Sequence, residues 1–290
     1  MSRLEVLASG ALATIQDEGR SGLAGIGVGV SGAADRRSLH LANRLLGNAP
    51  GTASIEVTFG GLELLAHGAV DVAVTGAATP VTVDGVAAGL NAPLHVPDGG
   101  RLRLGPPGAG LRTYIAVRGG IAVPEQLGSR STDVMGGIGP EVLAGGMLLP
   151  VGRSHGEWPG VDVAPVPHPG TEDLQLRVAP GPRHDWFVED ALAALGSAPY
   201  TVTAESNRVG MRLDGPVLER SRTEELPSEG VVRGSLQVPP TGQPTLFLAD
   251  HPVTGGYPVI GVVLSVDVDL AAQAQPGQRL RFHLTDGGSR

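Results

Sequence analysis

Apolar residues recur along most of this chain in runs of four or five, each closed by Gly or Pro. Leu4-Glu5-Val6-Leu7 and Ala13-Thr14-Ile15-Gln16-Asp17, separated by Ser9-Gly10, predict two short strands. The period changes once in the first half. Across Ser31 to Asn48, the residues Leu39, Ala42 and Leu46 recur at helical spacing and Gly47 stands where a helix would end, which predicts one amphipathic helix. From Ser54 to about Leu149 strand-sized pieces return, such as Val70-Asp71-Val72-Ala73-Val74 and Tyr114-Ile115-Ala116-Val117. The second half repeats this order: a strand at Leu174-Gln175-Leu176-Arg177-Val178, a helical stretch from about Asp185 to Leu195 ended by Gly196, then more strands.

Between the halves, Pro159 to Pro169 is too rich in proline for a helix or a central strand and reads as an extended linker. The expected domains are therefore 1–158 and 171–290, joined by 159–170. Gly100-Arg101-Leu102-Arg103-Leu104 also resembles Gln278-Arg279-Leu280-Arg281-Phe282, and the alternation puts one face outward and one inward in each. The pattern points to a mainly β fold of two related β-barrel halves with a few short helices.

Composition narrows the chemistry. With 290 residues, 41% of them hydrophobic, the chain can fill two ordinary cores. A net charge of -8 with dispersed basic residues argues against a nucleic-acid partner. No apolar run reaches the roughly 18 residues that span a bilayer, and Met1 to Val6 lacks a signal-peptide core, so a cytoplasmic location is expected. Cys is absent, and all 21 residues counted as Lys plus Arg are Arg. The chain thus has no thiol nucleophile, no Schiff-base or Walker A lysine and no lysine to carry biotin. Anions must be met by Arg forks, backbone N–H groups or a partner's residues.

Asn207-Arg208 combines a neutral amide with a guanidinium fork, the types that fix an amide carbonyl and a carboxylate or phosphate; the alternative is an arginine paired with Glu205 or Asp214. Asp250 and His251 precede Thr254-Gly255-Gly256-Tyr257, where two glycines expose backbone donors; a tight turn between strands explains the segment equally well. Glu229 and Gln237 bracket a short strand and are expected at a common barrel mouth with Asn207 and Arg208, unless Glu229 is simply solvated. Asp17, Arg20, Ser31 and Asp35 form a second candidate polar cluster, with helix capping the stronger reading for Asp35. Gly152-Arg153-Ser154-His155-Gly156 matches a nucleophile elbow, but Trp158-Pro159-Gly160 forbids the helix that must follow. The histidines lack metal-site spacing, so no metal is expected, and no strand–helix Gly-x-Gly-x-x-Gly supports a Rossmann cofactor.

Four blocks carry a family resemblance. They are Thr14 to Arg20 with Gly27-Val28, Ser31 to Asp35 and Ala42 to Asn48; Gly119-Gly120-Ile121 with Gly128 to Thr132; Ser206 to Leu213; and Ser228 to Val232 through Gly234 to Pro240 to Thr254-Gly255-Gly256-Tyr257-Pro258-Val259-Ile260. In this order they resemble the allophanate hydrolase subunit 2 family, which includes the C subunit of 5-oxoprolinase and the carboxyltransferase part of urea carboxylase. The resemblance implies a cyclophilin-like β-barrel, a subunit-1 partner and, in many bacteria, a third, lactam-opening subunit in an ATP-dependent 5-oxoprolinase. The leading expectation is opening of 5-oxoproline to glutamate, with ATP bound on or shared with a partner; the alternatives are carboxyl transfer between urea and biotin on a separate carrier, and a binding module that sequesters its subunit-1 partner. Under either enzymatic reading Asn207, Arg208 and Asp250 are the expected catalytic residues, with Glu229, Gln237, His251, Thr254, Gly255, Gly256 and Tyr257 around a small amide substrate. Arg208→Ala or Asp250→Ala is then expected to abolish turnover while leaving the fold intact. Val253 stands where the family pattern leads one to expect a polar residue, which bears on substrate choice.

Overall fold

The computed structural model describes residues 2–154 and 156–285. The chain forms two compact units. Unit 1 holds the residues up to Arg20, then Ser31–Asp133 and Gly137–Gly170; unit 2 holds Ser21–Val30, Val134–Gly136 and the chain from Thr171 onward. Two short segments of the first half thus belong to the second unit, a crossing that no local pattern announces. Residues 159–170 are part of unit 1, where Ala164 N–H donates to the Asn91 carbonyl at 2.8 Å and the Arg118 guanidinium lies 4.7 Å from the centre of the neighbouring Trp158 ring.

Unit 1 carries β1 (Arg3–Ser9), β2 (Leu12–Gln16), α1 (Arg36–Leu45), β3 (Ser54–Thr58), β4 (Leu62–His67), β5 (Val70–Ala78), β6 (Val81–Val83), β7 (Val86–Ala88), β8 (Pro93–Val96), β9 (Arg101–Leu104), β10 (Ala109–Val117) and β11 (Leu148–Pro150). These make a six-stranded sheet in the order β11-β1-β4-β9-β6-β7 and a five-stranded sheet in the order β2-β3-β10-β5-β8. One core joins them, with Leu4, Val6, Leu62, Leu64 and Leu102 from the first sheet and Ile15, Ile55, Val57, Val72 and Ile115 from the second. Period-2 alternation is what allows it: along β9 Arg101 and Arg103 face water while Leu102 and Leu104 are buried.

Helix α1 packs its buried Leu39, Ala42 and Leu45 with Ala73, Tyr114 and Ala116 of the five-stranded sheet. Asp35 caps it: its carboxylate accepts from Ser38 N–H at 3.1 Å and from the Ser38 hydroxyl at 2.6 Å. Buried Tyr114 donates to Glu56 at 2.7 Å and accepts from Asp35 N–H at 2.8 Å; burial and the neighbouring Glu56 carboxylate hold its phenol well above the usual range.

Unit 2 carries β12 (Leu174–Pro180), α2 (Ala191–Ser197), β13 (Tyr200–Val202), β14 (Gly210–Asp214), β15 (Glu229–Gly230), β16 (Ser235–Gln237), β17 (Thr245–Phe247), β18 (Thr254–Gly255), β19 (Val259–Val263), α3 (Ser265–Ala271) and β20 (Arg279–Leu284). Seven of these strands close a barrel, β12-β19-β16-β17-β14-β13-β20, sealed by the parallel pairing of β12 with β20. Leu176, Tyr200, Met211, Leu236, Leu246, Ile260, Leu280 and Phe282 fill a continuous core, so the apolar interior is packed. The ribbon β15–β18 stands apart from the barrel ladder.

The expected helix at about 185–195 is corrected. A 3₁₀ turn covers His184–Trp186, α2 starts only at Ala191, and Gly196 lies inside it. Trp186 and Phe187 turn into the core, which interrupts the run that spacing alone suggested. Helix α3 has no helical signature in the sequence, because Ser-Val-Asp-Val-Asp-Leu alternates like a strand. Its Asp267 is held by Arg177 through Nε and Nη2 at 2.8 Å each, and Asp269 accepts from Arg233 Nη2 at 2.7 Å. Tertiary ion pairs favour helix there over the local period. Ser154 and Gly156 lie outside any helix or strand and no α-helix follows them among the described residues before α2, so the strand–helix setting of a nucleophile elbow is not formed; His155 lies outside the described residues.

Candidate functional site

The barrel register sorts the candidate residues into two groups. Strand β17 pairs with β14 through Gly210↔Phe247 and Arg212↔Thr245, and with β16 through Gln237↔Thr245. Arg208 therefore lies beyond the Phe247 end of β17, whereas Gln237 lies at the Thr245 end. The expectation that Gln237 shares one mouth with Asn207 and Arg208 is corrected: antiparallel pairing carries Gln237 and Arg208 toward opposite ends of these strands, while Glu229 stands outside the barrel ladder, paired with Gly255.

At the first end, Asn207, Arg208, Asp250 and His251 converge. The backbone joins their loops, with Leu248 N–H donating to the Val209 carbonyl and Asp250 N–H to the Arg208 carbonyl, both at 3.0 Å. The Arg208 side chain, 2% exposed, forks onto the fully buried Asp250 carboxylate, Nε to Oδ2 and Nη2 to Oδ1 at 2.9 Å each. Val134 N–H also donates to Asp250 Oδ2, at 3.2 Å. Arg208 pairs with neither Glu205 nor Asp214; Glu205 instead lies 3.7 Å from Arg212. A carboxylate engaged in this way neutralises its guanidinium and ties two loops together. Such a pair positions its neighbours.

Two neighbours bring chemistry of their own. Asn207 is exposed, and its Oδ1 accepts from Val209 N–H at 2.8 Å and Gly210 N–H at 3.2 Å, an Asx turn that leaves Nδ2 as an available donor among the described residues. His251 stacks on Phe247, with ring centres 6.1 Å apart, and its Nδ1 lies 2.7 Å from the Pro252 carbonyl. A carbonyl can only accept, so that bond places the proton on Nδ1 and makes Nε2 the basic nitrogen of the neutral ring.

At the second end, Glu229 pairs with Gly255 and Gly230 with Thr254 in the β15–β18 ribbon. Gln237, 8% exposed, donates Nε2 to the Tyr257 carbonyl at 3.1 Å. Gly255 lies so close beneath that amide that a Cβ would come within 2.3 Å of Gln237 Nε2. Thr254, Gly256 and Tyr257 are exposed. Val259 follows into a buried strand, as the Tyr-Pro-Val-Ile run predicts. Glu229 is clasped by Arg183, whose Nε lies 2.9 Å from both carboxylate oxygens and whose Nη2 donates to Oε1. That guanidinium holds the Glu229 carboxyl below its usual range. Sequence reasoning missed Arg183, for the contact spans 46 residues and Gly181-Pro182-Arg183 carries only a turn signal. No group of three or more His, Cys, Asp or Glu capable of holding a metal ion occurs among the described residues.

Residues 26–284 match the family model described as carboxyltransferase domain, subdomain A and B. The chain is 35% identical to the C subunit of 5-oxoprolinase from Escherichia coli over 286 residues, covering 96% of this chain and 90% of that one. It is 32% identical to urea amidolyase of Saccharomyces cerevisiae, covering 96% of this chain but 16% of that one. Among solved structures, TTHA0988 superposes with a TM-score of 0.89 at 35% identity, and the match spans 98% of this chain but only 55% of that protein. The Kluyveromyces lactis urea carboxylase also gives 0.89, at 32% identity, with 97% of this chain and 27% of the carboxylase covered.

Proposed function

The chain belongs to the carboxyltransferase-domain family with subdomains A and B, and from that premise we propose that it is the C-type subunit of an ATP-dependent amide hydrolase that opens 5-oxoproline to glutamate. One observation supports the choice of substrate: the chain is 35% identical to the 5-oxoprolinase C subunit over 286 residues, against 32% to urea amidolyase. The chain's partners in this reading are a subunit-1 protein and a lactam-opening subunit.

Opening a stable lactam at neutral pH is eased when its oxygen is activated and the developing charge meets prepared donors. In this reading the Arg208–Asp250 clamp sets the 207–209 loop, Asn207 Nδ2 donates to the amide oxygen, and His251 accepts a proton at Nε2. Thr254 and Tyr257 contact substrate or partner from the ribbon end. The loop arginines Arg208 and Arg183 are both committed to carboxylates, and the sequence has no lysine, so they do not suit a triphosphate. Nucleotide binding is assigned to a partner. A second reading, carboxyl transfer to urea or a related amide, draws on the urea carboxylase likeness and requires biotin on another chain.

The deciding experiment measures glutamate and phosphate release from 5-oxoproline plus ATP, with this chain alone and then with both partners. Release only from the full mixture supports the proposal; no release from a verified complex overturns it in favour of biotin-dependent transfer.

A further inference from the structure

Unit 1 contains a buried cation that the proposed function leaves unused. Arg20 is 2% exposed, and no carboxylate lies within ion-pair distance of it among the described residues. Its Nη2 donates to the Ser131 carbonyl, its Nε reaches the Gln126 carbonyl only at 3.5 Å, and its Nη1 has no hydrogen-bond partner. The two nearest acids by sequence are occupied elsewhere, Glu18 by the His40 ring and Asp17 by a network of its own. Its Oδ1 accepts from Gly19 N–H at 2.8 Å, the Ser129 hydroxyl at 2.6 Å and the Ser131 hydroxyl at 2.5 Å, and its Oδ2 from Arg130 N–H at 2.6 Å.

Two further buried polar atoms anchored on the same backbone segment are unpaired. Gln16 donates Nε2 to the Thr132 carbonyl at 2.9 Å and to the Thr14 hydroxyl at 3.0 Å, leaving Oε1 without a donor; the Thr132 hydroxyl also lacks a partner. All three unsatisfied groups are anchored on the Ser131–Thr132 backbone. An uncompensated buried charge costs several kcal/mol, and each unmade buried hydrogen bond about 1–3 kcal/mol. A structure that retains all three anchored on two successive residues is poised for a ligand that satisfies them.

We propose that this cluster is a binding site for a small, singly charged carboxylate-type anion bearing an adjacent N–H or O–H. The anion's oxygens meet Arg20 Nη1 and the Thr132 hydroxyl, and its own donor meets Gln16 Oε1. Charge selects against a dianion, since there is one free cationic donor and the Asp17 carboxylate shares Ser131 with Arg20. Entry displaces the Gln126 carbonyl, whose 3.5 Å contact is the weakest that Arg20 makes. Hydrogencarbonate and an N-acyl or lactam amino acid share this chemistry. The inference concerns unit 1 and stands without the functional reading above.

Calorimetric titration of the full chain with hydrogencarbonate, with 5-oxoproline and with inorganic phosphate, at constant ionic strength through the millimolar range, tests it. Saturable binding of one of the first two is expected, and which one binds identifies the source of the carboxylate. Thr132→Val, nearly isosteric, should weaken that binding about tenfold, the effect of one lost hydrogen bond to a charged group, and Arg20→Lys should abolish it. Binding of phosphate alone, binding of none of the three, or binding unchanged in Thr132→Val would each overturn the proposal. Should Arg20→Lys fold poorly, the wild-type and Thr132→Val titrations still decide. Turnover by the complete enzyme system is a separate readout, so failure here does not touch the 5-oxoprolinase reading.

Discussion

Arg208 and Asp250 hold each other in a buried two-point ion pair across 42 residues of sequence, closing the ends of β14 and β17. This changes what substitution there means. Removing one partner strands a buried charge, at about 3–5 kcal/mol. Asp250→Ala and Arg208→Ala are therefore expected to lower the thermal midpoint steeply, correcting the expectation that they would silence activity in an intact fold. A replacement of both residues by apolar ones of similar volume should recover much of the loss. Denaturant melts of the two single variants and the double variant check this; single variants as stable as the parent would refute the clamp.

The Gly255 backbone packs against the Gln237 amide, where a methyl group would collide at 2.3 Å. Gly255→Ala should cost about 1–3 kcal/mol, the usual penalty for overpacking. Adding Gln237→Ala should relieve most of it, because the obstacle is that one side-chain amide and no backbone atom is nearer. Additive losses in the two variants would refute the collision with Gln237 as the cause.

Glu229 is predicted to make stability sensitive to acid. Its folded carboxyl is held below the usual range by Arg183, so its contribution is complete above the unfolded value of about 4.3 and is lost as pH falls through the lower, folded value. Glu229→Gln should thus reduce the thermal midpoint slightly at pH 7 and flatten its fall below about pH 4.3. The effect is small, since the pair is part-exposed and screened. Parallel slopes for parent and variant between neutral and acid pH would remove Glu229 from the account.

Much of this molecule is legible in its sequence because its strands alternate. The Arg-Leu-Arg-Leu run of β9 and the buried Val-Ile-Gly-Val-Val of β19 display their faces directly. Helix α1 is equally plain, with Asp35 before it and Gly47 after it. Long-range pairing is not legible. Nothing near Arg208 points to Asp250 instead of Glu205 or Asp214, nothing near Glu229 points to Arg183, and α3 reads as a strand until Arg177 and Arg233 claim its aspartates. Nor does spacing reveal that Arg208 and Gln237 lie at opposite ends of the barrel strands, because that depends on which strands pair.

Asn207 allows its structural and chemical roles to be separated, because they use different atoms. Its Oδ1 holds the turn through Val209 and Gly210 N–H, while Nδ2 is left to donate. Asn207→Asp keeps the acceptor and removes the donor; Asn207→Ala removes both. The aspartate variant should therefore melt within about 0.5 kcal/mol of the parent, as exposed substitutions usually do, and the alanine variant about 1 kcal/mol lower. If Nδ2 meets the substrate oxygen, 5-oxoproline turnover by the assembled subunits should fall at least about tenfold in both variants, since removing a donor aimed at developing charge commonly costs roughly 10²–10³ in kcat. A drop in Asn207→Ala alone would instead trace the loss to a loosened loop. Equal turnover in all three proteins would leave Asn207 a turn residue and move the search for the amide-oxygen donor to the exposed Tyr257 and Thr254 of the ribbon.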